Sequence, residues 1–164
     1  MGNRTQTDRN RSPVPRIHGS PTPMKIWKKE ISIEDLDTLC AGTIHHALGI
    51  RFSRIDDRSL EATMPVDENT KNPAGILHGG ASVVLAESLG SVASNLVSGP
   101  GYISLGIEVN ASHLKSVSSG SVTGRATPIR LGRSLQVWGI EIRDTQDPDQ
   151  LVCQCRLTVM IRER

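Results

Sequence analysis

Leu77-His78-Gly79-Gly80-Ala81-Ser82-Val83-Val84-Leu85-Ala86-Glu87-Ser88 decides how the rest of this chain is read. A glycine pair opens a helix in which one carboxylate sits among apolar and small side chains. From Leu77 to Ser104 the only groups that titrate near neutrality are His78 and Glu87. A helix this apolar belongs in a core, and a lone carboxylate in a core is costly unless it is used. Glu87 is therefore expected to be buried among Val83, Val84 and Leu85, with its pKa raised toward the range useful for proton transfer.

The helix reads from Gly79 to Val97 and stops at Ser98-Gly99-Pro100-Gly101. Gly80, Ala81, Ser82, Ala86, Ser88, Gly90, Ser91, Ala93 and Ser94 put small side chains on nearly every face. A helix wrapped by a curved sheet needs such close approach all round; a helix on a flat sheet does not. Upstream, Ser32 caps a short amphipathic helix to Leu39, with Glu34 and Asp35 in its first turn, and Thr43–Leu48 adds another turn. Ile50–Ile55 and Ser59–Val66 read as strands, followed by a loop from Asp67 to Leu77. Four strand-like runs follow the long helix: Ile103–Lys115, Val122–Ile129, Leu135–Arg143 and Val152–Ile161. Breaks at Ser118-Ser119-Gly120, Leu131-Gly132-Arg133 and Gln146-Asp147-Pro148-Asp149 read as hairpins. Ile107, Val109 and Ala111 alternate with Glu108, Asn110 and Ser112. The plan is α+β, with a mainly antiparallel sheet.

With 164 residues the chain suits one domain, residues 24–164, behind an extension over residues 1–23 expected to be disordered. That extension is rich in Arg, Ser, Thr and Pro. Its prolines oppose the amphipathic helix of an organellar transit peptide, so a vestigial extension or a start at Met24 is the preferred reading. Lys and Arg number 19 against 17 Asp and Glu, for a net charge of +2, which points to no strongly charged partner. Four Phe, Trp and Tyr residues make a poor stacking platform for nucleic acid. No apolar run reads as a membrane span. Cys40, Cys153 and Cys155 are expected to be reduced packing residues in a cytoplasmic protein, Cys153 and Cys155 facing the same side of one strand.

At these residues the chain resembles the hotdog-fold acyl-CoA thioesterases, in which a curved antiparallel sheet wraps a long central helix. The branch it is most similar to holds the 1,4-dihydroxy-2-naphthoyl-CoA hydrolases and the enterobactin-pathway proofreading thioesterases. Met24–Lys28, Leu60–Asp67, Gly75–Val92, Gly106–His113, Leu131-Gly132 and Gln136-Val137-Trp138 follow in the family's order, so the likeness spans about residues 24 to 162.

Thioester hydrolysis needs a polarised carbonyl, an activated water or direct nucleophile, and an exit for a thiolate. The first-turn amides at Gly79 and Gly80 lack intrahelical partners and suit an oxyanion; a sharp loop-to-helix turn is the plainer use of the pair. Glu87 is the candidate base or nucleophile, against the alternative of a structural ion pair. His78 either orients the thioester oxygen or caps the helix. Ser91, one turn beyond Glu87, either bonds the carboxylate or merely packs. Nine residues separate His78 from Glu87, roughly 13 Å along a helix, so they cannot serve one carbon from one chain. The site is therefore expected to be shared between the two subunits of a homodimer.

The resemblance implies the same dimer, with dimers paired into tetramers. It also places Asn72 where relatives use Gln to position water or substrate. By resemblance, Gly106, His113-Leu114-Lys115-Ser116 and Arg130-Leu131-Gly132-Arg133-Ser134-Leu135 cradle CoA. Lys115, Arg130 and Arg133 also suit its phosphates directly, or are simply solvated charges. No cofactor, metal, nucleic acid or membrane is expected. An acyl-CoA-binding regulator without activity is the rival reading, and the retained carboxylate argues against it. A dehydratase of the same fold needs a histidine where this helix has Glu87.

Overall fold

The computed structural model describes residues 24–164, so the disorder expected over residues 1–23 lies outside the described residues. Two short helices come first, α1 (Ile33–Leu39) and α2 (Ile44–Ala47), then strands β1 (Arg51–Ile55) and β2 (Leu60–Pro65). The long helix α3 (Gly79–Ser98) follows, and then β3 (Tyr102–His113), β4 (Ser121–Leu131), β5 (Leu135–Asp144) and β6 (Leu151–Glu163). Ser32 caps α1 as expected, and Asp35 closes a reciprocal capping box with it, which the sequence reading did not include.

The six strands form one sheet in the order β1-β2-β4-β5-β6-β3, antiparallel throughout. The sheet packs on α3 from β2 through to β6. This is the hotdog arrangement. Of the three expected hairpins, those joining β4 to β5 and β5 to β6 are present, but Ser118-Ser119-Gly120 is not one. β3 pairs with β6 rather than β4, so that segment carries the chain from one edge of the sheet to its interior.

Small residues set the distance between helix and sheet. An added Cβ at Gly90 of α3 meets Leu157 Cδ2 of β6 at 2.5 Å, and one at Gly124 of β4 meets Leu89 Cδ1 at 2.6 Å. Leu85, Ala86, Leu89 and Ala93 of α3 are fully buried beneath Trp138, Ile140 and Ile142 of β5, Leu157 and Val159 of β6, and Val122 and Ala126 of β4. By length and composition α3 is apolar enough to cross a membrane, which corrects the sequence reading. Its apolar side chains are instead largely buried in this core.

A polar network ties the end of α3 to the sheet. Ser94 Oγ donates to Gln136 Oε1 at 2.7 Å, Trp138 Nε1 donates to the same oxygen at 3.3 Å, and Gln136 Nε2 donates to Ser98 Oγ at 3.2 Å. Trp27 stacks on Trp138 with ring centroids 6.3 Å apart, and its Nε1 donates to the Asp56 carbonyl. The indoles thus close that end of the core without leaving a buried donor unpaired.

Strand β3 departs from simple alternation. A bulge between Gly106 and Glu108 turns Ile107 out, 52% exposed, while Val109 and Ala111 still pack on the core. A bulge adds one residue and so shifts the facing pattern beyond it.

Two outcomes test this packing. Gly90→Val inserts a branched side chain against Leu157 and is expected to lower stability by about 1–3 kcal/mol. At fixed protein concentration this reads as a lower urea midpoint with an unchanged slope. His45 of α2 packs beside Phe52, and burial holds its imidazole below the ordinary histidine range. The unfolded chain then takes up this proton first as pH falls through about 6.5. Stability is therefore full above that pH and declines below it, and His45→Gln is expected to flatten the decline in urea midpoint between pH 7 and pH 5.

Candidate active site

The N-terminus of α3 is built by the loop before it. Thr70 is buried; its hydroxyl donates to the Pro65 carbonyl at 2.8 Å and accepts from Asp67 N–H at 2.9 Å. The Thr70 carbonyl then accepts from His78 N–H at 2.8 Å, while Leu77 N–H donates to the Val117 carbonyl at 2.8 Å. These bonds deliver His78 as the N-cap of α3, where Nδ1 accepts from Gly80 N–H at 2.8 Å. Capping is thus what His78 does here. With Nδ1 accepting, the ring proton of the neutral imidazole sits on Nε2.

That cap uses the Gly80 amide and leaves Gly79 N–H uncommitted among the described residues. Gly79 lines a cavity of about 330 Å³ together with Asn72, Ser82, His113, Leu114, Lys115 and Ser116. A side chain at Gly79 would collide with His113, whose Nε2 lies 2.7 Å from an ideal Cβ. The glycine is therefore required by close approach as well as by the turn. Leu114 and Lys115 both donate backbone N–H bonds to the Val152 carbonyl, which fixes that wall. Asn72 is half-committed: its Oδ1 accepts from Ala74 N–H at 2.9 Å and from Ile76 N–H at 3.4 Å, holding its own loop. Only its Nδ2 is free to act in the cavity.

Glu87 is elsewhere. It lines a second cavity of about 390 Å³ with Ile44, His45, Val84, Ser88, Ser91, Val92 and Asn95. The expectation of burial does not hold, because Glu87 is exposed on the single chain while Val83 and Val84 beside it are half-buried. The helix is buried against its own sheet on one side only, and Glu87 stands on the side the sheet leaves open. No ion pair neutralises it among the described residues. Its Oε1 lies 2.8 Å from where a Cβ on Gly106 would stand, so the bulged stretch of β3 accommodates the carboxylate only because residue 106 is glycine. Ser91 shares the cavity without bonding Glu87; its carbonyl accepts from Asn95 Nδ2.

The residues expected to cradle CoA fall into separate places on one chain. His113, Leu114, Lys115 and Ser116 surround the Gly79 cavity, and Gly106 abuts Glu87. Leu131, Gly132 and Arg133 line a third cavity of about 560 Å³ at the far end of α3, beside Lys25, Lys28 and Arg58. Arg130, Ser134 and Leu135 are exposed on the same β4–β5 hairpin. Lys115, Arg130 and Arg133 have no carboxylate within 4.0 Å among the described residues.

Sequence reasoning missed the contact of Cys153 with His113: Sγ lies 3.4 Å from Nδ1. Its signal is a strand pairing, His113 of β3 opposite Cys153 of β6, and periodicity along one strand does not carry it. Cys153 and Cys155 do face the same way, with sulfurs 3.5 Å apart, and both are free and buried.

The sequence model of the thioesterase superfamily matches residues 74–151, a span holding Gly79, Glu87 and His113. The 1,4-dihydroxy-2-naphthoyl-CoA hydrolase of Escherichia coli is 49% identical over 136 residues, 83% of this chain and 98% of that protein. The proofreading thioesterase EntH of Cronobacter turicensis is 45% identical over 136 residues, with 83% and 98% covered. A solved thioesterase from Haemophilus influenzae superposes with a TM-score of 0.82 at 46% identity, covering 84% of this chain and 95% of that one. With a central helix wrapped by six antiparallel strands and relatives this similar over almost their whole lengths, the chain belongs to the hotdog-fold thioesterase superfamily and is a thioester hydrolase.

Proposed function

We propose that this enzyme hydrolyses an aromatic acyl-CoA thioester, of the 1,4-dihydroxy-2-naphthoyl type, in a cytoplasmic homodimer with two shared active sites. The observation that carries the reading is the separation on one chain of an uncommitted Gly79 amide from an exposed, unpaired Glu87, each lining its own cavity. Two copies related by a twofold, with their α3 helices antiparallel, bring Gly79 of one subunit to Glu87 of the other and give two equal sites. The edge strand β3 supports this assembly: among the described residues it has no neighbour beyond β6 in the sheet, and Leu105 and Ile107 on it are exposed. Dimers then pair into tetramers, for which the exposed Ile129, Leu131 and Leu135 of the β4–β5 hairpin are the apolar surface.

In that site the thioester oxygen takes the Gly79 N–H at the positive end of α3, where charge develops as the carbonyl carbon becomes tetrahedral. Glu87 takes a proton from the attacking water or attacks the carbon itself. The carboxylate becomes covered when the second copy closes over its face. Nε2–H of His78 and the free Nδ2 of Asn72 are the further donors near the carbonyl, and Ser91 faces the water side of Glu87. Ile44, Val84 and Val92 give the acyl group an apolar wall. Lys115, Arg130 and Arg133 take the phosphates of CoA, with Gly106, His113, Leu114, Ser116, Leu131, Gly132, Ser134 and Leu135 lining its path. A carrier-protein thioester is the second substrate class, favoured by the likeness to EntH.

Glu87→Ala is expected to leave the oligomer folded and to cut CoA release from a naphthoyl or benzoyl thioester to below a few per cent. Turnover above that level removes Glu87 from the mechanism. A mixing experiment tests the sharing. A statistical mixture of Glu87→Ala and Gly79→Val subunits places one intact site in each mixed dimer and so recovers about a quarter of wild-type activity. No recovery from two separately dead variants means each site lies within one chain.

A further inference from the structure

We propose that His113 is a further catalytic residue: held through Nδ1 by Cys153, it protonates the sulfur of the departing thiolate from Nε2. This rests on the thioesterase site described above, with Gly79 as the oxyanion donor. His113 is the one imidazole among the described residues lining that cavity, and its Nε2 lies over Gly79, beside the amide that would hold the carbonyl oxygen. The carbon–sulfur bond that breaks is one bond from that carbonyl oxygen's carbon, so a proton donor beside Gly79 serves the leaving group. Glu87, which removes protons on the attacking side, lines a different cavity.

Two thiols stand behind His113 and hold the ring. Cys153 Sγ is 3.4 Å from Nδ1 and 3.5 Å from Cys155 Sγ. The hydrogen bond from Cys155 draws the Cys153 thiol below its ordinary range, against the opposing effect of burial. The same bond, burial and the neighbouring charge push Cys155 far up, so the shared proton stays on Cys155. With Cys153 Sγ accepting from Nδ1–H, the ring is held with Nε2 turned to the cavity, and the protonated ring carries there the proton to be transferred. The other titratable groups near this ring are Lys115 in the cavity and His78 before Gly79, and no carboxylate lines the cavity. As the carbon–sulfur bond breaks, its electron pair stays on sulfur and the Nε2 proton moves to it. The neutral thiol departs, and the neutral imidazole is reprotonated from water.

Leaving-group dependence is the test, with two benzoyl thioesters that both lack the nucleotide, so that any loss of CoA binding does not enter. One carries N-acetylcysteamine, an alkyl thiol; the other carries 4-nitrothiophenol, whose thiolate leaves without a proton. His113→Gln is expected to lower kcat for the alkyl thioester about 100-fold and for the aryl thioester less than about fivefold. Equal losses for both, or no loss, overturn the proposal. Glu87→Ala is expected to abolish both; if it spares both, the site reading itself fails, a result distinct from failure of the His113 role alone. Cys153→Ala, which keeps His113, is expected to lower kcat for the alkyl thioester about tenfold and for the aryl thioester less than about twofold, because the ring loses the partner that aims Nε2. Equal losses for the two thioesters, or none, refute the part assigned to Cys153.

Discussion

The close approach of α3 to its own sheet is the constraint on which the remaining geometry depends. Where Gly90 meets Leu157 and Gly124 meets Leu89, neither backbone can carry even a methyl group without displacement. Interiors at crystal-like density do not absorb such an insertion quietly. This approach sets the sheet's curvature around the helix, and curvature brings β3 against both parts of the candidate site. His113, the last residue of β3, reaches Gly79 at the start of α3, while the bulge at Gly106 makes room for Glu87 two turns further on. A looser helix would leave each of these pairs apart.

Much of this was legible in the sequence because it follows from local rules. Ser32, the stop at Gly99, and the inward set Trp138, Ile140 and Ile142 all behave as cap, terminator and two-residue period require. Small residues spread around α3 correctly signalled a wrapping sheet. What escaped was non-local. Strand order is set by pairing across the molecule, so Ser118–Gly120 resembles a hairpin turn although β3 and β4 never meet. The Gly106 bulge, visible only in register, exposes Ile107 against its apparent alternation.

The candidate site divides in the same way. His78 and Glu87 were singled out because polar groups in an apolar run stand out, and their separation along one helix already argued for a site shared between two subunits. Burial of Glu87 was misjudged because an apolar helix was taken to be covered all round, whereas one chain covers only the face turned to its sheet. Cys153 carried no signal of its own: a thiol in a strand reads as packing until its partner across the ladder is known to be His113.

The bare edge of β3 has a consequence for how the protein must be made. Twelve residues long and carrying the exposed Leu105 and Ile107, this strand presents a row of backbone donors and acceptors with no neighbour among the described residues. Such edges template indiscriminate strand addition. A newly synthesised copy is thus most vulnerable in the interval before that edge is occupied, and high expression shortens the wait while raising the number of wrong encounters. Yield during production is accordingly governed by a race between correct docking and clumping, decided at the same strand that carries Gly106 and His113.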